Sequence, residues 1–109
     1  MKVIPGLVFL ILLLPASVAA GEIYGSIKGG GKSIGQGVKV EIGYGPNVYS
    51  TETDRYGSYR LYVPEKGKCL LTVRYQQPFP SIEIYSYEGS VRYNLVLEKQ
   101  DGKYSLRRE

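Results

Sequence analysis

The sequence predicts an all-β fold, a seven-stranded antiparallel sandwich made of two sheets. Three observations lead to this prediction. Apolar residues fall on alternate positions in seven short segments, Gly, Pro, Asp and Asn separate these segments, and no segment has a helical period. Alternation with a period of two buries one face of each strand. Short strands separated by turn residues at roughly ten-residue spacing are typical of a sandwich.

The first twenty residues have the pattern of a secretory signal peptide. Lys2 supplies a positive charge, residues 3–14 are an almost unbroken apolar run, and small residues precede Gly21. The pattern predicts cleavage near Ala20 and export of the rest of the chain to the periplasm or the cell exterior, with no membrane span after cleavage. The alternative is a retained membrane anchor. A spanning helix needs about 20 apolar residues, and this run is shorter.

The remaining chain is one small domain, residues 21–99, followed by residues 100–109. The predicted strands cover residues 22–28, 38–42, 48–53, 58–63, 69–75, 81–85 and 91–97. The predicted inward residues are Ile23, Ile27, Val38, Val40, Ile42, Tyr59, Leu61, Val63, Cys69, Leu71, Val73, Ile82, Ile84, Val91, Tyr93, Leu95 and Leu97. The turn at residues 100–103 is expected to return the chain as a short edge strand, or the end frays.

The fourth and fifth strands, within residues 51–75, are predicted to pair as an antiparallel hairpin. Asp54 and Gly57 precede the first of them, and Pro64 and Gly67 lie between the two. Turn residues at these places, flanked by alternating apolar residues, are typical of a hairpin with one buried face.

Composition excludes several classes of function. The chain has one cysteine and no histidine, so an internal disulfide, ordinary zinc or haem ligation and a Ser-His-Asp site are all excluded. Cys69 is interpreted as a small buried hydrophobe, with an intermolecular disulfide as the alternative. Asp54 and Glu52 could suggest calcium, but an Asp at such a turn satisfies its own backbone. No metal or cofactor is expected, and we predict that the chain is not an enzyme.

The charge pattern and the glycine-rich segment argue against two more classes of function, nucleic-acid binding and nucleotide binding. The net charge is +4, and basic residues are interleaved with acidic ones along the chain, so no nucleic-acid footprint is predicted. The run from Gly29 to Ser33 resembles part of a phosphate-binding loop. Ser26 stands where that motif needs a glycine, and a strand follows where it needs a helix.

The spacing of turn and core residues resembles a known family. The matching positions are Thr53-Asp54-x-x-Gly57-x-Tyr59-x-Leu61 and Val63-Pro64-x-x-Gly67-x-x-x-Leu71-x-Val73, with Gly37-Val38-x-Val40 and Ile23-x-Gly25-x-Ile27 upstream. This pattern resembles the carboxypeptidase regulatory-like domains, which are transthyretin-like (prealbumin-like) sandwiches. The resemblance covers residues 22–98. It implies a transthyretin-like fold and a non-catalytic accessory module.

Two active relatives of that family make specific demands on the residues. The hydroxyisourate hydrolases work through histidines, which are absent here. The Cna-B-type adhesin domains join a first-strand Lys to a last-strand Asn with the help of a buried acid. Lys28 and Asn94 hold similar positions, but Val73 stands where the acid would be, so no crosslink is expected.

The eleven tyrosines are the main compositional excess. Four fall on predicted outward faces and form the candidate contact surface: Tyr24, Tyr62, Tyr85 and Tyr87. Tyrosine offers a large amphipathic area at low entropic cost, so these residues are a hypothesis for binding. The alternative is that tyrosine simply suits half-exposed strands. A patch is favoured if Tyr62 and Tyr85 lie on neighbouring strands.

The predicted function is an exported, non-catalytic binding or accessory module that contacts another protein of the cell envelope or of a secreted complex. A glycan is the alternative partner, through the outward tyrosines, although no tryptophan supplies a planar platform. A structural component of a surface or an appendage is the third possibility. The sequence does not identify the partner.

Overall fold

The computed structural model describes residues 21–109, and the predicted signal segment lies outside the described residues. These residues form ten β-strands and no helix. The strands are β1 (Glu22–Gly29), β2 (Lys32–Ser33), β3 (Lys39–Tyr44), β4 (Asn47–Glu52), β5 (Ser58–Tyr62), β6 (Gly67–Arg74), β7 (Ser81–Ser86), β8 (Val91–Arg92), β9 (Leu95–Gln100) and β10 (Lys103–Arg108).

The strands form two sheets. In the six-stranded sheet β1 is central, with β5 and β2 paired along one side and β8 and β9 along the other, and β10 lies beyond β9. The four-stranded sheet has the order β4-β3-β6-β7, and all its pairs are antiparallel. The glycine-rich segment is the turn of the β1–β2 hairpin.

One core joins the two sheets. Thirteen hydrophobic side chains are buried, and every one of them is among the predicted inward residues. The other four predicted residues pack against this core and are half-buried: Val38, Leu61, Ile82 and Val91. Cys69 is buried within the same cluster, as predicted. The alternation therefore identified the buried face of six of the seven predicted strands, and no inward residue was predicted for the strand at residues 48–53.

The predicted hairpin of residues 51–75 is wrong. β5 pairs with β1 in one sheet, whereas β6 pairs with β3 and β7 in the other. The segment after Val63 therefore crosses between the sheets, and Val63 N donates to Gly21 O (2.8 Å) at the end of the β1 pairing. Alternation shows which face of a strand is buried, but it does not show which strand lies beside it.

The prediction of a purely antiparallel sandwich is also wrong, because β1 runs parallel to β8 and to β9. Ile23 lies opposite Val91, and Ile27 lies opposite Leu95. Both pairs have the same offset, so β8 and β9 are one predicted strand, residues 91–97, interrupted in its middle. The six-stranded sheet is therefore mixed, and short strands and the last hairpin raise the strand count from seven to ten.

A side chain bridges the interruption between β8 and β9. Ser26 N donates to Asn94 Oδ1 (3.1 Å), and Tyr93 N donates to Tyr24 O (2.8 Å). Gly25 faces this point, and a Cβ atom built on it would overlap the Tyr93 carbonyl oxygen. The parallel pairing thus requires a residue without a side chain at position 25.

We expect Gly25→Ala to lower the free energy of unfolding by about 1–3 kcal/mol or more, because a methyl group there forces two backbones apart. Urea unfolding of the purified domain measures this change. Gly89→Ala is the matched control, since a Cβ atom at Gly89 meets no atom within 4 Å. Equal stabilities of the two variants would contradict the close approach.

Candidate functional site

The outer face of the six-stranded sheet carries a row of two arginines and a tyrosine. Tyr24 on β1 lies opposite Arg60 on β5 and opposite Arg92 on β8. Directly opposed residues point to the same side of a sheet. The Tyr24 ring centroid is 5.2 Å from Arg60 Cζ and 5.3 Å from Arg92 Cζ, so both are cation–π contacts. The ring therefore holds two positive groups on either side of the central strand.

The arginines near this row differ in their partners. Arg60 Nη1 donates to Glu22 Oε2 (2.7 Å), which neutralises its charge locally. Arg92 forms no ion pair with any residue in the described range 21–109. Arg108 on β10 likewise has none there, and its Cζ lies 5.0 Å from the centroid of the Tyr93 ring. Arg92 and Arg108 therefore keep their charges available.

Three neighbouring clefts along this face and its edge share lining residues. Arg92 and Asn94 line both a cleft of about 590 Å³, which also contains Tyr24 and Arg60, and a cleft of about 390 Å³. Tyr87 lines the 390 Å³ cleft and also a third, of about 230 Å³. We call the surface bordered by these clefts the arginine–tyrosine face, defined by Tyr24, Arg60, Tyr62, Tyr87, Arg92 and Arg108. Arg108 lies opposite the buried Leu95, so it points to the inner side of the sheet and reaches the 390 Å³ cleft at the sheet edge beside β8.

Three of the four predicted contact tyrosines line this face. Tyr62 and Tyr87 border the smallest cleft and are 59% and 52% exposed, while Tyr24 is half-buried between its arginines. Tyr85 is not on a strand next to Tyr62, because β5 and β7 belong to different sheets. Its ring lies 6.5 Å from that of Tyr87, at the border of the face. The condition that favoured one patch of all four tyrosines is therefore not met, because Tyr62 and Tyr85 lie in different sheets. Tyr24, Tyr62 and Tyr87 line the clefts of the face, and Tyr85 lies on the other sheet.

The arginines are candidate site residues that the sequence did not predict. Arg60, Arg92 and Arg108 are far apart in the chain and belong to the basic residues that are interleaved with acidic ones. Arg60 and Arg92 meet through the pairing of β1 with β5 and β8, and Arg108 approaches through the β9–β10 hairpin. Alternation does not encode which strands pair. The one signal available was that Arg60 and Arg92 occupy outward positions in predicted strands.

Two buried tyrosines lie in the core, on the inner side of the six-stranded sheet. Tyr59 Oη donates to Tyr93 O (2.7 Å), and Tyr93 Oη in turn donates to Tyr85 O (3.1 Å). Burial raises the pKa of Tyr59 well above its ordinary value, and the neighbouring Tyr93 raises it further. Burial also raises the pKa of Tyr93. These hydrogen bonds tie β5 and β7 to the interruption between β8 and β9.

Asp54 was considered for calcium binding, and Lys28 and Asn94 were considered for a crosslink; each makes other contacts in the structure. Asp54 Oδ1 accepts hydrogen bonds from Tyr56 N (2.9 Å) and Ser58 N (3.0 Å), which is how a turn residue satisfies its own backbone. Lys28 Nζ bonds to Glu109 Oε2 (2.9 Å), whereas Asn94 Oδ1 bonds to Ser26. Within residues 21–109, no cluster of three acidic or cysteine side chains could hold a metal ion.

Comparison with known proteins does not assign the chain. No protein-family model matches it, and no curated protein matches it either. In the part of the chain that the structure describes, no helix has the length and apolar character to cross a membrane. The functional conclusion therefore depends on the chemistry of the arginine–tyrosine face.

We expect Tyr59→Phe to change how stability depends on pH. The side chain of an exposed tyrosine ionises at about pH 10. Folded Tyr59 keeps its proton to a higher pH, so the folded chain binds more protons than the unfolded one above that pH. Its contribution to stability is therefore complete below about pH 10 and is lost as the pH rises further. Removing the hydroxyl lowers the free energy of unfolding by about 1 kcal/mol at neutral pH. It also makes the loss of stability at alkaline pH less steep.

Urea unfolding at a series of pH values up to the alkaline range checks this expectation. Tyr56→Phe is the control, because Tyr56 is 69% exposed. An alkaline decline with the same slope in the Tyr59 variant and in the wild type would show that Tyr59 does not hold its proton as described.

Proposed function

We propose that this chain is an exported, non-catalytic binding module that contacts another protein of the cell envelope or of a secreted complex. The observation that supports the proposal is the arginine–tyrosine face, where three tyrosines and three arginines border connected clefts. Tyrosine and arginine are the residue types, with tryptophan, that most often dominate the free energy of protein–protein binding. Tyrosine does so because its rigid ring gives a large contact area at low entropic cost.

We also propose that the module belongs to the carboxypeptidase regulatory-like fold family. The turn and core spacing within residues 53–73 resembles the carboxypeptidase regulatory-like domains, and two packed sheets are compatible with their transthyretin-like sandwich. The module would then be residues 21–99, a domain type that usually accompanies a larger protein. Export is proposed from the charge and apolar pattern of residues 1–20.

A protein partner fits the arginine–tyrosine face better than a sugar does. A sugar ring stacks on an open aromatic face, but the Tyr24 ring already contacts Arg60 and Arg92 from the strands on either side. The rings of Tyr85 and Tyr87 are inclined at 31° to each other and do not form one plane. Protein side chains can follow such a stepped surface, because interfaces pack closely around individual anchor residues.

A glycan is the second candidate partner, at a different place. A cleft of about 900 Å³ is lined by Tyr75 and Tyr104 together with the polar side chains of Ser33, Glu98 and Gln100. The two rings meet edge to face at 5.2 Å. The two ring planes are inclined at 88° and Lys99 lies over the Tyr104 ring, so a sugar would stack on Tyr75 alone, beside these hydrogen-bonding groups. A rise in melting temperature with a glycan, lost in Tyr75→Ala, would favour this candidate.

The proposed function is tested by capture of proteins from the envelope and culture fluid of the native host. We expect one protein to bind the wild type in stoichiometric amount. With that protein purified, Tyr62→Ala and Tyr87→Ala should each raise Kd about tenfold or more, because truncating an anchor residue costs more than 1 kcal/mol.

The matched control is Tyr56→Ala, since Tyr56 is at least as exposed and lies outside the arginine–tyrosine face. Its Kd should equal that of the wild type. If the Tyr56 variant loses binding as strongly as the other two, the contact lies elsewhere and the proposal fails.

A further inference from the structure

We infer that the 390 Å³ cleft between Arg92 and Arg108 binds carboxylate groups, so that the partner contributes an acidic peptide segment. The inference rests on the proposed function and specifies the chemistry of the partner. The cleft is lined by Tyr87, Val91, Arg92, Tyr93, Asn94, Arg108 and Glu109.

Each arginine of the cleft is supported by an aromatic ring. Arg92 lies over Tyr24 and Arg108 lies over Tyr93, with Cζ to centroid distances of 5.3 and 5.0 Å. A cation–π contact does not require a hydrogen bond, so a guanidinium held over a ring retains N–H donors for a planar acceptor. The two rings therefore help to position both side chains.

The charges of the cleft are not balanced from within the domain. Arg92 and Arg108 form no ion pair with any residue of the described range. The carboxylate that borders the cleft, Glu109, is bonded to Lys28 Nζ at 2.9 Å. Opposite charge is thus the complement that a ligand must bring.

Asn94 adds a neutral donor to the two guanidiniums. Its Oδ1 accepts from Ser26 N (3.1 Å) and Ser26 Oγ (3.4 Å), and neither bond uses the amide N–H groups. Arg92 borders the cleft from the outer side of the sheet and Arg108 from the inner side, and Asn94 lines the same cleft. Arginine binds carboxylates with two parallel hydrogen bonds, and such pairs are among the strong ones.

The neighbouring clefts favour a peptide over a continuous polyanion, because neither adds unpaired positive charge beyond Arg92. Glu52 and Asp54 line the 590 Å³ cleft with Arg60, whose partner is Glu22, and Glu88 lines the 230 Å³ cleft with Lys66, its partner at 4.0 Å. A nucleic acid, an acidic polysaccharide or an anionic lipid surface would extend negative charge over these clefts without further unpaired cations to bind it. A peptide can place its acidic residues in the 390 Å³ cleft alone and neutral or apolar residues beside Tyr62 and Tyr87.

The test is selection of random short peptides on the full mature protein, followed by measurement of Kd for the selected peptides. We expect the selected peptides to be enriched in Asp and Glu. Arg92→Gln and Arg108→Gln should each weaken binding about tenfold, which corresponds to about 1.4 kcal/mol. Arg92→Lys should recover only part of the affinity, because an ammonium keeps the charge but lacks the fork.

Arg107→Gln is the matched control, since it removes the same charge one residue away, from an arginine paired with Glu98 at 2.7 Å. Equal loss in this variant would mean that net charge alone attracts the peptides, and the inference would fail. Peptides without acidic residues whose binding depends on Tyr62 and Tyr87 would overturn the inference and leave the proposed function standing. If no peptide is selected, or if polyphosphate or dextran sulfate binds more tightly through the same arginines, the partner is not an acidic peptide.

Discussion

The two-sided pairing of β1 is the constraint on which the rest of the structure depends. β5 runs antiparallel along one edge of this strand, and β8 and β9 run parallel along the other. The parallel side forms only because Gly25 lets the Tyr93 carbonyl approach and because Asn94 supplies an acceptor for Ser26 N. If β8 and β9 were one continuous strand, Asn94 would take part in the regular pairing with β1. Because the strand is interrupted there, the Asn94 side chain bonds to Ser26 N and lines two clefts at the surface.

This pairing also creates the arginine–tyrosine face. Tyr24 can hold two guanidiniums because its cross-strand neighbours on both sides are arginines. On the inner side of the sheet, the Tyr59 hydroxyl joins β5 to Tyr93 in the β8–β9 segment, and the Tyr93 hydroxyl joins that segment to β7 of the four-stranded sheet. The buried layer that stabilises the domain and the exposed layer that we propose for binding therefore share β1, β5 and the β8–β9 segment. A change in the register of β1 would disturb both layers.

The sequence predicted the fold class and the core well, for a physical reason. Burial of one strand face is a local property with a period of two, so Ile23, Val40 and Leu71 could be recognised from spacing alone. Strand pairing is not local, and Pro64 with Gly67 is compatible either with a hairpin or with a crossing between sheets. The candidate tyrosines were found because tyrosine is unusually frequent here. The arginines were not predicted because their grouping arises from strand pairing: β8 pairs with β1 and brings Arg92 to Tyr24, and β10 pairs with β9 and brings Arg108 to Tyr93.

The central claim is that a protein partner sits on the arginine–tyrosine face, and site-specific crosslinking in the native host tests it most directly. A photoreactive phenylalanine analogue at position 87 lies at the junction of two clefts of the face, and the same analogue at position 56 lies outside it. The account predicts one defined crosslinked protein from position 87 and none from position 56. A crosslinked partner from position 56 alone, or the same partner from both positions with equal yield, would contradict it.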